Sequence, residues 1–219
     1  MTTLAILPIK SFDEAKQRLA AELTAGPRRA LAEAMFSDVL TALRRTASVD
    51  GILVVSSDHS AQRIAGGHGA AVIEDASIGH NEAAELGIAH ALENGYERAL
   101  LVPGDCPLAS PAELDELIAS PVHAPSALIV ADRHGTGTNG LLLTPPNALT
   151  PSFGPGSCAR HAELARAVGT AAEIRDVPSL AMDVDTAEDL AFLQETLSTT
   201  RGGAAHTRGM LSQLMRSRA

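Results

Sequence analysis

The residues of this chain that could do chemistry gather where runs of aliphatic side chains stop. LVPGDCPLAS, Leu101 to Ser110, puts one carboxylate, Asp105, directly after such a run. Gly104 lets the backbone turn and Pro107 stiffens the exit, which would aim Asp105 into a crevice beyond the strand. A turn, or a cap for a helix near Pro111, would use the same residue as well. MDVDT, Met182 to Thr186, adds Asp183 and Asp185. If that stretch is extended, successive side chains alternate and the two carboxylates share a side. Like charges that close repel unless a cation lies between them, and a hard dication with oxygen ligands is the usual occupant. With no Cys or His pair beside them, Asp105, Asp183 and Asp185 favour magnesium over zinc. The alternative makes Asp185 or Thr186 a helix cap and leaves Asp183 solvated at a strand end.

Anion handling is the second chemical theme. RHGTGTNG, Arg133 to Gly140, and SFGPGSCAR, Ser152 to Arg160, each combine glycines, hydroxyls and an arginine. Glycines expose backbone N–H groups, and Gly154, Gly156 and Ser157 precede a helical pattern whose N-terminus attracts anions. Neither loop matches a Walker or dinucleotide fingerprint, and either could be a plain turn. PIKSFDEAKQRL places Lys10, Lys16 and Arg18 after the first aliphatic run, where they could neutralise a triphosphate or extend into solvent. Asn81 begins a helical stretch, as a cap or as an amide that reads a base edge. No nucleophile and base pair is recognisable, and Cys106, Cys158, His134 and His161 receive no catalytic task.

These residues need a scaffold that brings strand ends together. TLAILPI, GILVVSS, AAVIED, RALLVPG and ALIVADR alternate with alanine-rich helical patterns at Pro27 to Arg45, Ser60 to Gly66, Asn81 to Asn94 and Pro111 to Ala119. Strands that are apolar on both faces and separated by helices predict an α/β domain with a mostly parallel twisted sheet flanked by helices. In such sheets ligands bind beyond the carboxyl ends of the strands. After residue 125 two strands joined by a Gly/Thr-rich loop suggest an antiparallel excursion. A helix from Cys158 to Val168 and a strand AEIRDV follow. Thr186 with Asp189 forms a capping box for a helix to Leu197. Residues 1–197 are expected to form one domain. Residues 198–219, with four arginines and no acid, are expected to be a flexible tail, a short terminal helix packed on a partner being the alternative.

Composition narrows the partners. A net charge of -9 over 219 residues argues against a nucleic-acid surface, which needs clustered Lys and Arg. Aromatic content of 2% with no Trp removes stacking platforms. Two cysteines make no disulfide framework, and no apolar run suits export or membrane insertion, so a cytoplasmic protein is expected. The sequence is silent on oligomeric state and leaves a homodimer open.

In order, LPIKSFDEAKQRLA, VVSSD, GHNEAAELGIAHA, VPGDCPL, HGTGTNGLLL, FGPGSCARH and MDVDTAEDL resemble the family of nucleotidyltransferases that activate 2-phospho-L-lactate or phosphoenolpyruvate with GTP in coenzyme F-420 biosynthesis. The resemblance spans about residues 4 to 195 and implies a glycosyltransferase A-like fold. It implies that Asp105, Asp183 and Asp185 hold Mg2+ and that Thr138, Gly154 and Ser157 bind the three-carbon acid. It further implies that Lys10, Lys16 and Arg18 meet the GTP phosphates, Lys10 joining Asp105 in catalysis, with Asn81 near the guanosine. Cys106 stands where the family often has leucine, a change expected to touch packing more than chemistry. The implied reaction is in-line guanylyl transfer with pyrophosphate as leaving group. Its rivals are transfer to a molybdopterin or sugar phosphate, and a non-catalytic nucleotide-binding module.

Overall fold

The structure, a computed structural model, describes residues 1–75 and 79–218. Seven strands form a single sheet: β1 (Thr3–Pro8), β2 (Gly51–Val55), β3 (Ala71–Ile73), β4 (Arg98–Leu101), β5 (Ser126–Ala131), β6 (Thr138–Thr144) and β7 (Ala171–Arg175). Their order across the sheet is β3-β2-β1-β4-β6-β5-β7. β6 runs antiparallel to β4 and β5, and the other pairings are parallel. This is the expected α/β sheet, with the antiparallel excursion realised as a β5–β6 hairpin.

Both faces of the sheet are covered, as the unbroken aliphatic runs require. Ala5 and Leu7 of β1 enter one core with residues of α1 (Ala25–Arg45), α2 (His59–Gly67) and α4 (Pro111–Ala119). Leu4 and Ile6 enter the opposite core with residues of α3 (His80–Glu93) and α5 (Ser157–Ala167). The order in which strands are added reverses between β1 and β4, which are parallel neighbours, leaving a crevice beyond their carboxyl ends. Because β6 is reversed, its beginning and not its end reaches that rim.

A third core lies at the rim. Leu19, Leu23, Leu31 and Met35 pack there with Leu190, Leu193 and Leu197 of α6 (Ala187–Thr199) and Leu211 of α7 (Ala205–Arg218). Met182 and Val184 plug into it at 4% and 0% exposure, each contributing about 2 kcal/mol by burial. Their anchoring leaves Asp183 and Asp185 on the other side of the segment, as alternation requires, although no strand ladder forms there. Thr186 and Asp189 make the expected capping box of α6.

The expected flexible tail is corrected: residues 205–218 are helical and pack along α1, while Ala219 lies outside the described residues. The carboxylate of Asp38, buried in α1, accepts from the N–H groups of His206 (3.0 Å) and Thr207 (2.8 Å), capping α7 across the molecule. Arg208 ties the entry of α7 to the carbonyls of Leu197 and Thr200. No helix among the described residues is long and apolar enough to cross a membrane.

Candidate functional site

At the β1/β4 reversal a cavity of about 360 Å³ opens, lined by Lys10, Lys16, His80, Gly104 and Asp105 among others. Gly104 keeps room here: a Cβ on it would stand 2.5 Å from Ile9 Cδ1 and 3.2 Å from Phe36 Cδ2, so a side chain there would push Ile9 aside. The segment after β1 is held from the turn after β2, where Asp58 caps α2 and also accepts from the Phe12 N–H at 2.9 Å. Lys16 itself sits in the left-handed region at φ 57°, which for a side chain with a Cβ costs about 1 kcal/mol.

That strained placement brings three distant segments together. The Lys16 ammonium contacts Asp105 and lies 2.9 Å from Asp185 Oδ1, with its side chain only 6% exposed. Burial alone would lower the lysine pKa, and the two carboxylates reverse this and raise it, so Lys16 stays charged. Asp183 accepts from Asn139 Nδ2 at 3.0 Å, and the same amide donates to the Leu180 carbonyl at 2.9 Å. Burial raises the Asp183 pKa; the Asn139 hydrogen bond opposes this, and repulsion from Asp105 and Asp185 adds to the rise. The mutual repulsion places the three carboxylates in one electrostatic neighbourhood. Asp105 Oδ1 is buried with no hydrogen-bond partner, an orphaned hard donor of the kind a divalent cation takes up. As they stand, the aspartates expected to hold magnesium are not drawn into a cage: among the described residues no group of three or more His, Cys, Asp or Glu is gathered closely enough for a metal. The Lys16 ammonium lies between Asp105 and Asp185 instead. Cys106 is buried, its thiol pKa pushed up by burial, and donates to the Leu180 carbonyl at 3.3 Å, a packing role.

The two glycine-rich loops differ. From Asp132 to Gly137 every backbone N–H is spent. Those of His134 (3.1 Å), Thr136 (2.8 Å) and Gly137 (2.8 Å) reach the Asp132 carboxylate, and those of Asp132, Arg133 and Gly135 reach carbonyls. Arg133 pairs with Asp189 at 2.6 Å and Glu188 at 3.1 Å. The backbone from Asp132 to Gly137 therefore leaves an anion no free N–H, contrary to the reading of Arg133 to Gly140 as an anion loop over that part. A larger cavity of about 700 Å³ beside this loop is bordered by the same Arg133, with Asp132 and Asp176.

Ser152 to Ser157 spends its acceptors instead. Arg160 donates to the carbonyls of Ser152 (2.8 Å) and Pro155 (2.9 Å) and to Ser152 Oγ (2.9 Å). Gly154 and Gly156 stand at φ 117° and 73°, and among the described residues their N–H groups have no partner. Exposed donors beside the start of α5 suit an anion. Ser157, 1% exposed, opens α5 with its N–H on the Gly154 carbonyl at 3.0 Å. Thr138 Oγ1 lies 3.0 Å from His161 Nδ1.

Of the residues expected at the site, Lys10, Lys16 and Asp105 line the crevice, and Asp183 and Asp185 flank it. Thr138 does not line it; it precedes Asn139, the amide that bonds Asp183, and turns its own hydroxyl the other way, to His161. Arg18 is exposed and does not line the cavity. Asn81 does not cap α3, where Gly79 stands; its amide oxygen accepts from the Phe153 N–H at 2.7 Å and so supports the Ser152–Ser157 loop. His80, Asn139, Arg160 and His161 were not singled out as site residues. Burial lowers the His80 pKa, Lys10 adding to the effect and Asp105 opposing it. Its ring meets Phe153, and Phe153 meets His161, with centroids 5.1 Å apart in each pair. Nothing local in the sequence announces these contacts; the adjacency of Asn139 to Thr138 is the one signal that could have been used.

The family described as guanylyl transferase, CofC like, matches residues 3–215. The phosphoenolpyruvate guanylyltransferase of Conexibacter woesei is 56% identical over 219 residues, 99% of this chain and 98% of that protein. The 2-phospho-L-lactate guanylyltransferase of Methanothermobacter thermautotrophicus is 33% identical over 222 residues, 98% and 92% of the two chains. Among solved structures, a protein from Desulfovibrio desulfuricans G20 described as a nucleotide-diphospho-sugar transferase shares the fold, with a TM-score of 0.77 at 15% identity over 99% of this chain and 98% of that one.

Proposed function

We propose, for a chain that belongs to the guanylyl transferase CofC-like family, transfer of GMP from GTP to the phosphate of phosphoenolpyruvate. Membership makes it a guanylyltransferase, a nucleotidyltransferase by class; the acid, the metal and the individual residue roles are our reading. The meeting of Lys16, Asp105, Asp183 and Asp185 beside the crevice carries that reading. A relative 56% identical that is named for phosphoenolpyruvate favours this acid over 2-phospho-L-lactate.

An oxygen of the acid's phosphate attacks the α-phosphorus of GTP. The bond from that phosphorus to the bridging β oxygen breaks, and its electron pair leaves with pyrophosphate. The attacking oxygen is already an anion, so alignment and charge neutralisation suffice and no protein nucleophile is needed. Lys10 and Lys16 offset the triphosphate charge at the crevice, Lys10 with Asp105 nearest the reacting centre. The N–H groups of Gly154 and Gly156, with Thr138 and Ser157, hold the acid. Asn81 and Arg160 keep that loop in shape, and Arg18, outside the cavity, receives no role. Asp105, Asp183 and Asp185 would hold magnesium, which when bound neutralises charge developing on the leaving pyrophosphate. The unpartnered Asp105 Oδ1 and the raised Asp183 pKa support that assignment. Cytoplasmic coenzyme F-420 biosynthesis completes the proposal, and the exposed β7 edge leaves room for a homodimer.

Pyrophosphate release, measured with GTP or CTP against phosphoenolpyruvate, 2-phospho-L-lactate and sugar phosphates, tests it. We expect turnover with GTP and phosphoenolpyruvate. Release with a sugar phosphate alone would overturn the acid, and tight GTP binding without turnover on any acid would overturn the reaction.

A further inference from the structure

His161 is 0% exposed and sits between the two parts of the acid side. Its Nε2 lies 2.9 Å from the backbone nitrogen of Ser152, and its Nδ1 lies 3.0 Å from Thr138 Oγ1. A backbone N–H can only donate, so Nε2 must be the unprotonated nitrogen. A neutral imidazole then carries its proton on Nδ1 and donates it to Thr138 Oγ1. A hydroxyl has one proton and two lone pairs; with a lone pair occupied by His161 and no acceptor on Nδ1, the Thr138 proton must turn away from the ring. We propose that His161 is a positioning residue, which as its Nδ1–H tautomer fixes the Thr138 hydroxyl as a donor to the anionic acid.

This rests on the assignment of Thr138 to the acid. Supporting it, burial, with Arg160 adding to the effect, lowers the His161 pKa to about 4, so the ring is neutral near pH 7. The same imidazole holds the Ser152 N–H and packs on Phe153. One residue thus sets the hydroxyl and the entry of the glycine loop together.

The tautomer is read directly from a two-bond proton–nitrogen correlation spectrum of the full chain labelled with 15N-histidine, His161 being identified by its loss in His161→Phe. A pyrrole-type Nδ1 and a pyridine-type Nε2 are expected; a proton on Nε2, or on both nitrogens, overturns the proposal. Kinetics supply the second arm. His161→Phe and Thr138→Val are each expected to raise KM for phosphoenolpyruvate about tenfold, with KM for GTP changed less than about twofold. The double variant should be no worse than either single one. His161→Asn, which can return a donor to Thr138, should recover part of the loss. Equal rises in both KM values, additive effects, or a lowered Tm with KM untouched would make His161 merely structural and sink the proposal. If Thr138→Val leaves KM for the acid unchanged while the spectrum shows Nδ1–H, it is the assignment of Thr138 that fails, and the proposal falls with its premise.

Discussion

The loops at Asp132–Gly137 and Ser152–Ser157 look alike in composition and are opposites in bonding. In the first, one carboxylate inside the loop takes three N–H groups and carbonyls take the rest. In the second, the Arg160 guanidinium takes carbonyls and leaves Gly154 and Gly156 as donors. A glycine-rich loop is therefore an anion site only if its acceptors are bound by something else. The side chain that closes each loop decides which groups face outward.

The largest effect should fall on neither loop. Asp105→Asn keeps the shape of the crevice and removes a charge at the reacting centre, so kcat should fall by at least about a hundredfold with GTP binding retained. A loss confined to KM would assign chemistry to the loops instead. Next, Arg160→Met frees the carbonyls of the second loop, and KM for the acid should rise about tenfold with kcat for bound substrate nearly kept. No change in KM would mean that Gly154 and Gly156 hold nothing. Asp132→Asn strips the first loop of its organising charge and should cost about 1–3 kcal/mol of stability, seen as a lower Tm, while both KM values hold. A rise in KM for the acid would erase the distinction between the loops.

The smallest effect is a pH signature. The His161 pKa falls from 6.5 to about 4 on folding, so below pH 6.5 the unfolded chain binds a proton that the folded chain refuses. Its stabilisation is complete above 6.5 and is lost as pH drops toward 4. Asp132 acts lower: burial pushes its carboxyl up, and the loop N–H groups outweigh this and bring it below 3.8. That contribution is present above 3.8 and fades as pH falls through the folded value. Tm against pH should thus lose part of its slope between 6.5 and 4 in His161→Phe, the rest staying with His80 and His68, whose pKa values burial also lowers, and should keep all of it in Asp132→Asn.

Much of this was legible because it follows from local periodicity. Alternation in MDVDT sorts Met182 and Val184 from Asp183 and Asp185 without any ladder, since two apolar anchors suffice. Aliphatic runs on both faces gave the sheet, and Thr186 with Asp189 gave the start of α6. What stayed hidden depends on partners far along the chain. The cap of α7 is Asp38, separated by 168 residues from His206, so the arginine-bearing segment read as a tail. Asn81 was read as a helix cap or a base-reading amide, and it does a third thing: its oxygen takes a backbone N–H 72 residues away, while Gly79 stands at the cap of α3. Lys16 was expected on phosphates, and its pairing with Asp105 and Asp185 needed three segments to meet. The Asp132 carboxylate lies one residue before the stretch that looked like an anion loop, and only backbone geometry shows that it fills that loop.

The single reversed strand also divides the labour of the chain. The crevice with Lys10, Lys16, His80 and Asp105 is built by the first half of the polypeptide, whereas the groups we assign to the acid arrive from the hairpin ahead of β6 and the turn ahead of α5. Lengthening or shortening that hairpin can reshape what is accepted beside the nucleotide while every strand of the first half keeps its register, so acceptor choice and donor choice are separately adjustable in this architecture.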